Sequence, residues 1–147
     1  MTPARASVPL LLVLAACGAD DSAPLTASDV SVFAPPPGQE AVAAYLTLHN
    51  NSSTPLLIAR VTSPEFAQVQ MHAMLSGDGM AVMTPLDAIT VAEDSEVEFA
   101  AGTRHLMLTE PMQSLAPGDE VTLEFHYGGD RSLVVQAPLQ PRLPADE

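Results

Sequence analysis

Short apolar or alternating apolar–polar runs recur along the chain and are separated by segments rich in Gly, Asn, Ser and Asp. Strands at a spacing of about 8–12 residues with turn residues between them are typical of a β-sandwich or barrel. The 14 prolines argue against long helices. The sequence therefore predicts an all-β domain. Its strand candidates are Ala41–Asn50, Pro55–Ser63, Ala67–Leu75, Ser95–Ala100, Arg104–Glu110, Glu120–Tyr127 and Arg131–Pro138.

The flanking segments have a different composition. A short apolar run, Val8–Ala16, follows Arg5 and is shorter than the about 20 residues that cross a bilayer. A charged start and a short apolar core predict a signal peptide over residues 1–16. Small, acidic residues predict a flexible tether over 17–28. We expect the β domain to occupy 29–138 and a disordered tail to occupy 139–147.

The segment LAAC (Leu14–Cys17) ends the apolar run and resembles the bacterial lipobox. The resemblance implies that Cys17 is lipidated and becomes the first residue of the mature protein. Two or more acyl chains would hold the protein stably on a membrane. We therefore expect an extracytoplasmic, periplasmic protein that is lipid-anchored to a bacterial membrane. The alternative is an ordinary secretory signal that contains a cysteine.

The segment QMHAMLSGDGMAVM predicts a β-hairpin that carries a histidine and several methionines. Its turn has more than one solution. A loop at Gly77–Asp78, or a longer one over Ser76–Gly79, sets His72 opposite Met83. A loop at Asp78–Gly79 sets Met74 opposite Met83 instead.

All these registers place three side chains on one face of the hairpin, because side chains alternate along a strand. They are His72, Met74 and Met83. Met71 and Met80 take the other face and are expected to pack in the core.

A second strand, RHLML, repeats the same chemistry. His105 and Met107 are two residues apart and share a face, whereas Leu106 and Leu108 point to the core. Thioethers are soft, neutral donors that suit Cu(I), and imidazole also binds copper. Two of each form a neutral ligand set for a monovalent copper ion. The alternative is that these are ordinary core and surface residues.

Composition narrows the range of functions. The formal net charge is −13 and the chain has no lysine, which disfavours binding to nucleic acid. Cys17 is the single cysteine, so disulfide redox chemistry and a blue-copper site with a thiolate ligand are not expected. No paired acid–base constellation or nucleophile motif stands out. We therefore expect that the protein is not an enzyme.

The four candidate ligands have the spacing H-x10-M-x21-H-x-M, from His72 through Met83 and His105 to Met107. This spacing resembles the motif of the PCuAC family of periplasmic copper chaperones. The segments AAYLTLHN, GDGMAVMTPLD and HLMLTEPMQSLAPGDEVTLEF are also similar to the family. The resemblance extends over about Ala41–Val135.

The resemblance implies a cupredoxin-like Greek-key β-sandwich that binds Cu(I) through His72, Met83, His105 and Met107. Met74 lies on the same face of the hairpin and is kept as a backup ligand. It also implies delivery of copper to the CuA site in subunit II of cytochrome c oxidase, alongside a Sco-type copper protein. A different interpretation is a membrane-tethered, metal-free β-sandwich whose methionines form a protein-binding patch.

Overall fold

A computed structural model describes residues 23–142, and these form an all-β fold of ten strands. The fold class expected from the sequence is confirmed. The strands are β1 Leu25–Phe33, β2 Val42–Asn50, β3 Leu56–Thr62, β4 Phe66–Gly77, β5 Met80–Leu86, β6 Ile89–Val91, β7 Ser95–Phe99, β8 Arg104–Pro111, β9 Glu120–Tyr127 and β10 Arg131–Gln140.

The strands form two layers that are joined at one edge. One layer has the order β5-β4-β8-β2-β1, with β7 also paired to β2, and the other has the order β10-β9-β3-β6. A short parallel pairing of β1 with β10 connects the layers. Because β2 and β3 are consecutive but lie in different layers, the chain crosses between them in the manner of a Greek-key sandwich.

Alternate side chains of the strands fill the space between the layers, as the period of two requires. In β2 and β9 every second residue is buried. Leu106 and Leu108 of β8 are fully buried, as the sequence predicts. The largest fully buried side chains are Phe99, Phe125, Leu25, Leu46, Leu48, Ile58, Leu106, Leu108 and Leu123.

The expected domain boundaries are wrong by a few residues at both ends. Strand β1 begins at Leu25, which is fully buried, so the expected tether of residues 17–28 overlaps a core strand. At the other end β10 continues to Gln140, and Leu139 is buried within the expected tail. The signal peptide, Cys17 and the remainder of the tail lie outside the described residues.

A β-bulge explains why β1 does not follow a simple alternating pattern. The register of β1 against β2 shifts between Ser28 and Ser31, and Asp29 has a positive φ of 55°. An extra residue of this kind reverses which face the following side chains take. Leu25 and Val32 are therefore both buried although they are an odd number of residues apart.

The loop after β2 is fixed by a buried amide. The Asn50 side chain is almost fully buried, and its Nδ2 lies 2.8–3.0 Å from the carbonyl oxygens of Thr54, Val91 and Ala92. Its Oδ1 accepts hydrogen bonds from the main chain and the hydroxyl of Ser52. Asn50 therefore ties the end of β2 to β6 in the opposite layer.

The hairpin of β4 and β5 extends past the rest of its layer. Residues 66–73 of β4 pair with β8, whereas the following residues pair only with β5. A hydrogen bond of 2.6 Å from the amide of Met74 to the carbonyl of Thr103 marks the point at which the hairpin leaves β8.

Within residues 23–142 there is no helix long and apolar enough to span a membrane.

Candidate metal site

The turn of the hairpin decides which residues face each other. Asp78 and Gly79 have φ angles of 50° and 77°, which are the values of a two-residue type I′ loop. Gly77 therefore faces Met80 and Met74 faces Met83, whereas His72 faces Pro85. Of the registers left open by the sequence, the one with the loop at Asp78–Gly79 is observed.

His72 nevertheless contacts Met83, along a diagonal of the hairpin. Nδ1 of His72 lies 3.0 Å from Sδ of Met83. The two residues are not directly opposed, but their shared face and the reach of the methionine bring the donor atoms together. Diagonal neighbours in an antiparallel pair are within reach of long side chains.

The second histidine lies across from the first in the neighbouring strand. His72 of β4 pairs with His105 of β8, and their ring centroids are 5.4 Å apart at an interplanar angle of 87°. His72 is buried and His105 is half-buried. The two imidazoles that the sequence places far apart are therefore adjacent on the outer face of one layer.

Met107 completes the cluster from the same strand as His105. It pairs with Gln70 on one side and with Ala43 of β2 on the other. Met74, Met83, His105 and Met107 all line one surface cavity with a volume of about 330 Å³. His72 reaches this cluster through its contacts with Met83 and His105. The structure thus brings all four expected ligands together, and Met74 with them.

The far wall of the cavity comes from a part of the sequence that shows no metal-binding pattern. The loop between β1 and β2 contributes Pro36, Gln39 and Ala41, and β2 contributes Tyr45. Phe33 packs against Tyr45 with ring centroids 6.0 Å apart, which supports the start of this loop. The run of prolines in this loop indicates a stiff segment, but only the tertiary structure locates it beside the histidines.

Burial and a neighbouring imidazole both disfavour protonation of His105. Burial lowers the pKa of His105 below the ordinary value of 6.5, and the positive charge of a protonated His72 lowers it further. A metal ligand must be the neutral imidazole, so a lowered pKa reduces competition from protons. Across residues 23–142, no three His, Cys, Asp or Glu side chains lie together as a metal-binding group. The other donors of the cluster are thioethers.

The methionines and histidines outside the cluster differ in their exposure and contacts. Met71 is buried as expected, but Met80 is 71% exposed, so its expected place in the core is wrong. Met80 lies at the tip of the hairpin, beyond the residues of β4 that pair with β8. Away from the cluster, His49 contacts Ser28 and Glu96, and His126 contacts Thr62.

Comparison with known proteins identifies the family. Residues 25–139 match the family model described as "Putative lipoprotein LpqE-like". The chain belongs to the LpqE-like family. This match covers the whole sandwich from the first buried residue of β1 to the last of β10.

Among curated proteins, the "Uncharacterized protein RP573" of Rickettsia prowazekii (strain Madrid E) is 26% identical over 94 residues. These make up 63% of this chain and 52% of the relative, so the chain spans about half the length of that protein.

Solved structures share the fold. The copper-bound PCuAC domain from PmoF2 superposes with a TM-score of 0.66 at 19% identity, over 81% of this chain and 94% of that domain. The solution structure of apo-DR1885 from Deinococcus radiodurans has a TM-score of 0.60 at 25% identity and covers 97% of both chains. The solution structure of CuI-DR1885 has a TM-score of 0.59 at 26% identity, over 79% of this chain and 76% of that chain. The chain therefore has the fold of a PCuAC domain.

Proposed function

We propose that this protein binds one Cu(I) ion through His72, Met83, His105 and Met107 and passes it to an extracytoplasmic acceptor. The observation that carries the proposal is the convergence of two imidazoles and two thioethers from three strands. The copper-bound form of DR1885, which is similar in sequence and fold, supports the choice of metal.

The contact between His72 and Met83 suits a metal-binding pair. With bond lengths of about 2.0 Å to nitrogen and 2.3 Å to sulfur, as found for zinc, a tetrahedral centre holds these donors about 3.5 Å apart. The observed separation of 3.0 Å requires the two side chains to part by only a fraction of an ångström. The flexible methionine can make this movement without a change in the strand.

The chemistry of the donors favours Cu(I) over other metals. Two neutral thioethers and two neutral imidazoles add no negative charge to the site. The bound ion's charge is therefore not neutralised by its ligands, and a soft monovalent cation tolerates this. Calcium and magnesium prefer oxygen ligands, and structural zinc prefers thiolate and imidazole. Copper is here the cargo rather than a cofactor for turnover, and the protein acts as a chaperone and not as an enzyme.

Exposure of one ligand supports transfer. Met83 is 44% exposed, whereas His72 is buried. An incoming ligand from an acceptor can displace the exposed thioether first while the imidazoles still hold the ion. The acceptor that we propose is the CuA site of cytochrome c oxidase subunit II, with a Sco-type protein acting on the same site. We also propose that a signal peptide directs the protein to the periplasm and that a lipid on Cys17 then holds it at a membrane.

The test is an anaerobic titration of the protein with Cu(I) against a chromogenic chelator. We expect one tight equivalent in the wild type and its loss in the His105→Ala/Met107→Ala variant, with an unchanged circular dichroism spectrum. A double variant that keeps the wild-type affinity would disprove the site. No tight binding in the wild type would favour the metal-free interaction module instead, for which the exposed methionines Met80 and Met112 are the supporting observation.

A further inference from the structure

Strand β5 forms a free edge of its layer. It pairs with β4 on one side, and the structure of residues 23–142 provides no strand on its other side. The end of the hairpin is also apolar and exposed: Leu75, Met80 and Val82 are 56%, 71% and 55% accessible. These three side chains lie on the face opposite Met83, and Leu75 pairs with Val82 across the hairpin. An apolar edge strand of this kind is a template for the addition of another strand.

The turn determines which main-chain groups are free. In a two-residue hairpin the residues that flank the loop, here Gly77 and Met80, exchange hydrogen bonds, and the pattern then alternates along the pair. Val82 and Thr84 therefore direct their amides and carbonyls towards β4. Ala81 and Met83 direct theirs outwards. The main-chain groups of Pro85 also point outwards, so the N–H that proline lacks removes no hydrogen bond to β4.

A strand added at this edge would bond to the main chain of Met83, which is the most exposed of the proposed copper ligands. The residue opposite Met83 in the added strand would have its Cβ about 4.5–5.5 Å from that of Met83 and on the same face. A sulfur-containing side chain at that position would therefore reach the metal. The main chain of Met83 would therefore bind the added strand while its side chain would bind copper.

Charge indicates which kind of strand fits. Asp78 and Asp87 lie at the two ends of β5, and no Lys or Arg occurs between Arg60 and Arg104. A second copy of this chain that pairs antiparallel about Val82 and Met83 would set Asp78 against Asp87 of the other copy. Like charges opposite each other are unfavourable, so these acids oppose self-association at the edge. They favour a partner segment with basic residues at its ends.

We propose that the outer edge of β5 is the docking strand for the protein that exchanges copper with this one. The partner contributes an extended apolar segment with a basic residue at each end and a sulfur donor opposite Met83. This inference rests on the proposed function, because it assigns the partner of that same site. It adds a partner chemistry that the metal ligands alone do not specify.

The test uses a synthetic peptide of about nine residues, with lysine at both ends, alternating valine and threonine between them and methionine at the centre. The control peptide has glutamate at both ends. Binding to the ¹⁵N-labelled full chain is followed by NMR. We expect the lysine peptide to shift the amides of Ala81 and Met83 in a salt-dependent manner, and the glutamate peptide to leave them unchanged.

Two variants probe the edge without touching the proposed ligands. In Ala81→Pro the lost N–H points outwards, so the hairpin keeps its own bonds while peptide binding weakens by about tenfold or more. In Asp78→Asn/Asp87→Asn the turn is retained, since Asn-Gly also favours type I′, and the salt dependence is lost. If Ala81→Pro fails to fold, the second variant still decides.

The outcomes separate this inference from the proposed function. Shifts centred on another strand, equal binding of both peptides, or wild-type binding by both variants would overturn the docking strand. If the wild type takes one Cu(I) but no peptide, only the docking inference fails. If peptide docks at β5 but the chain takes no Cu(I), the proposed function fails, and copper exchange at this edge fails with it.

Discussion

Met83 lies directly opposite Met74 in the hairpin, but its sulfur contacts Nδ1 of His72, two residues before Met74 in β4, at 3.0 Å. Met83 therefore pairs with Met74 through the register of the strands but contacts His72 through its sulfur. This relationship distinguishes the two methionines, although both lie on the same face and line the same cavity.

Replacement of Met83 should cost far more Cu(I) affinity than replacement of Met74. Met83→Ala removes the sulfur that contacts His72, whereas Met74 has no such contact with an imidazole. We expect Met83→Ala to weaken Cu(I) binding by at least about 100-fold, beyond the range for partners outside the ligand shell. An anaerobic chelator competition measures this.

Met74→Ala is the matched control, because it is the same change on the same face. We expect its Cu(I) affinity to stay near that of the wild type and its stability to change by about 0.5 kcal/mol or less. A greater loss with Met74→Ala than with Met83→Ala would assign the ligand to Met74.

The turn at Asp78 and Gly79 should affect Cu(I) binding at the proposed site, although neither residue is a proposed ligand. Gly79 has a φ of 77°, a conformation that costs a residue with a side chain about 1–2 kcal/mol. In Gly79→Val we expect lower stability and weaker Cu(I) binding, since the register that brings Met83 near His72 is no longer favoured. Denaturant melts and the chelator titration measure the two effects.

Asp78→Asn is the control for the turn, because Asn-Gly keeps the type I′ preference. It should leave both stability and Cu(I) affinity close to wild type. Unchanged Cu(I) affinity in a folded Gly79→Val variant would show that the turn does not set the geometry of the ligands.

The apo protein should lose stability in mildly acidic solution through His105. Its pKa is lowered below 6.5 in the folded state, first by burial and then by the charge of His72. Between the lowered pKa and 6.5 the unfolded chain binds more protons than the native one, so the free energy of unfolding falls as the pH drops below 6.5. Urea melts above and below this pH, with an NMR titration of the His105 ring, test the effect.

His72→Gln separates the two causes. It removes the neighbouring charge but keeps a side chain over His105, so the His105 pKa should rise only part of the way towards 6.5 because burial is the larger cause. A ring that titrates at or above 6.5 in the wild type would contradict the predicted pH dependence.

Asn50 should be important for stability but should not affect the proposed copper ligands. Asn50→Ala would remove the donor to the buried carbonyl of Val91 and the acceptor of the main-chain N–H of Ser52. We expect a loss of about 2–4 kcal/mol in the free energy of unfolding. Cu(I) affinity of the folded fraction should not change. Denaturant melts measure the first quantity, and a loss below about 0.5 kcal/mol would contradict the structural role.

The alternation of side chains made much of the fold predictable. Strand candidates such as Glu120–Tyr127 agree with the observed β9, because one face of each strand must be apolar. Alternation also predicted that His105 and Met107 share a face and that Leu106 and Leu108 are buried, as observed. It failed for β1, where the bulge near Asp29 changes the phase.

The sequence by itself determined the all-β class, the faces of most strands and the side chains whose chemistry suits a soft metal, because these follow from local alternation and the chemistry of each side chain. The tertiary structure decided which of those residues meet. The pairing of β4 with β8 sets His72 beside His105, the turn conformation at Asp78 and Gly79 selects one register, and the loop with Pro36 closes the cavity. These relationships join residues far apart in the chain, and they depend on strand pairing and packing that no local pattern specifies.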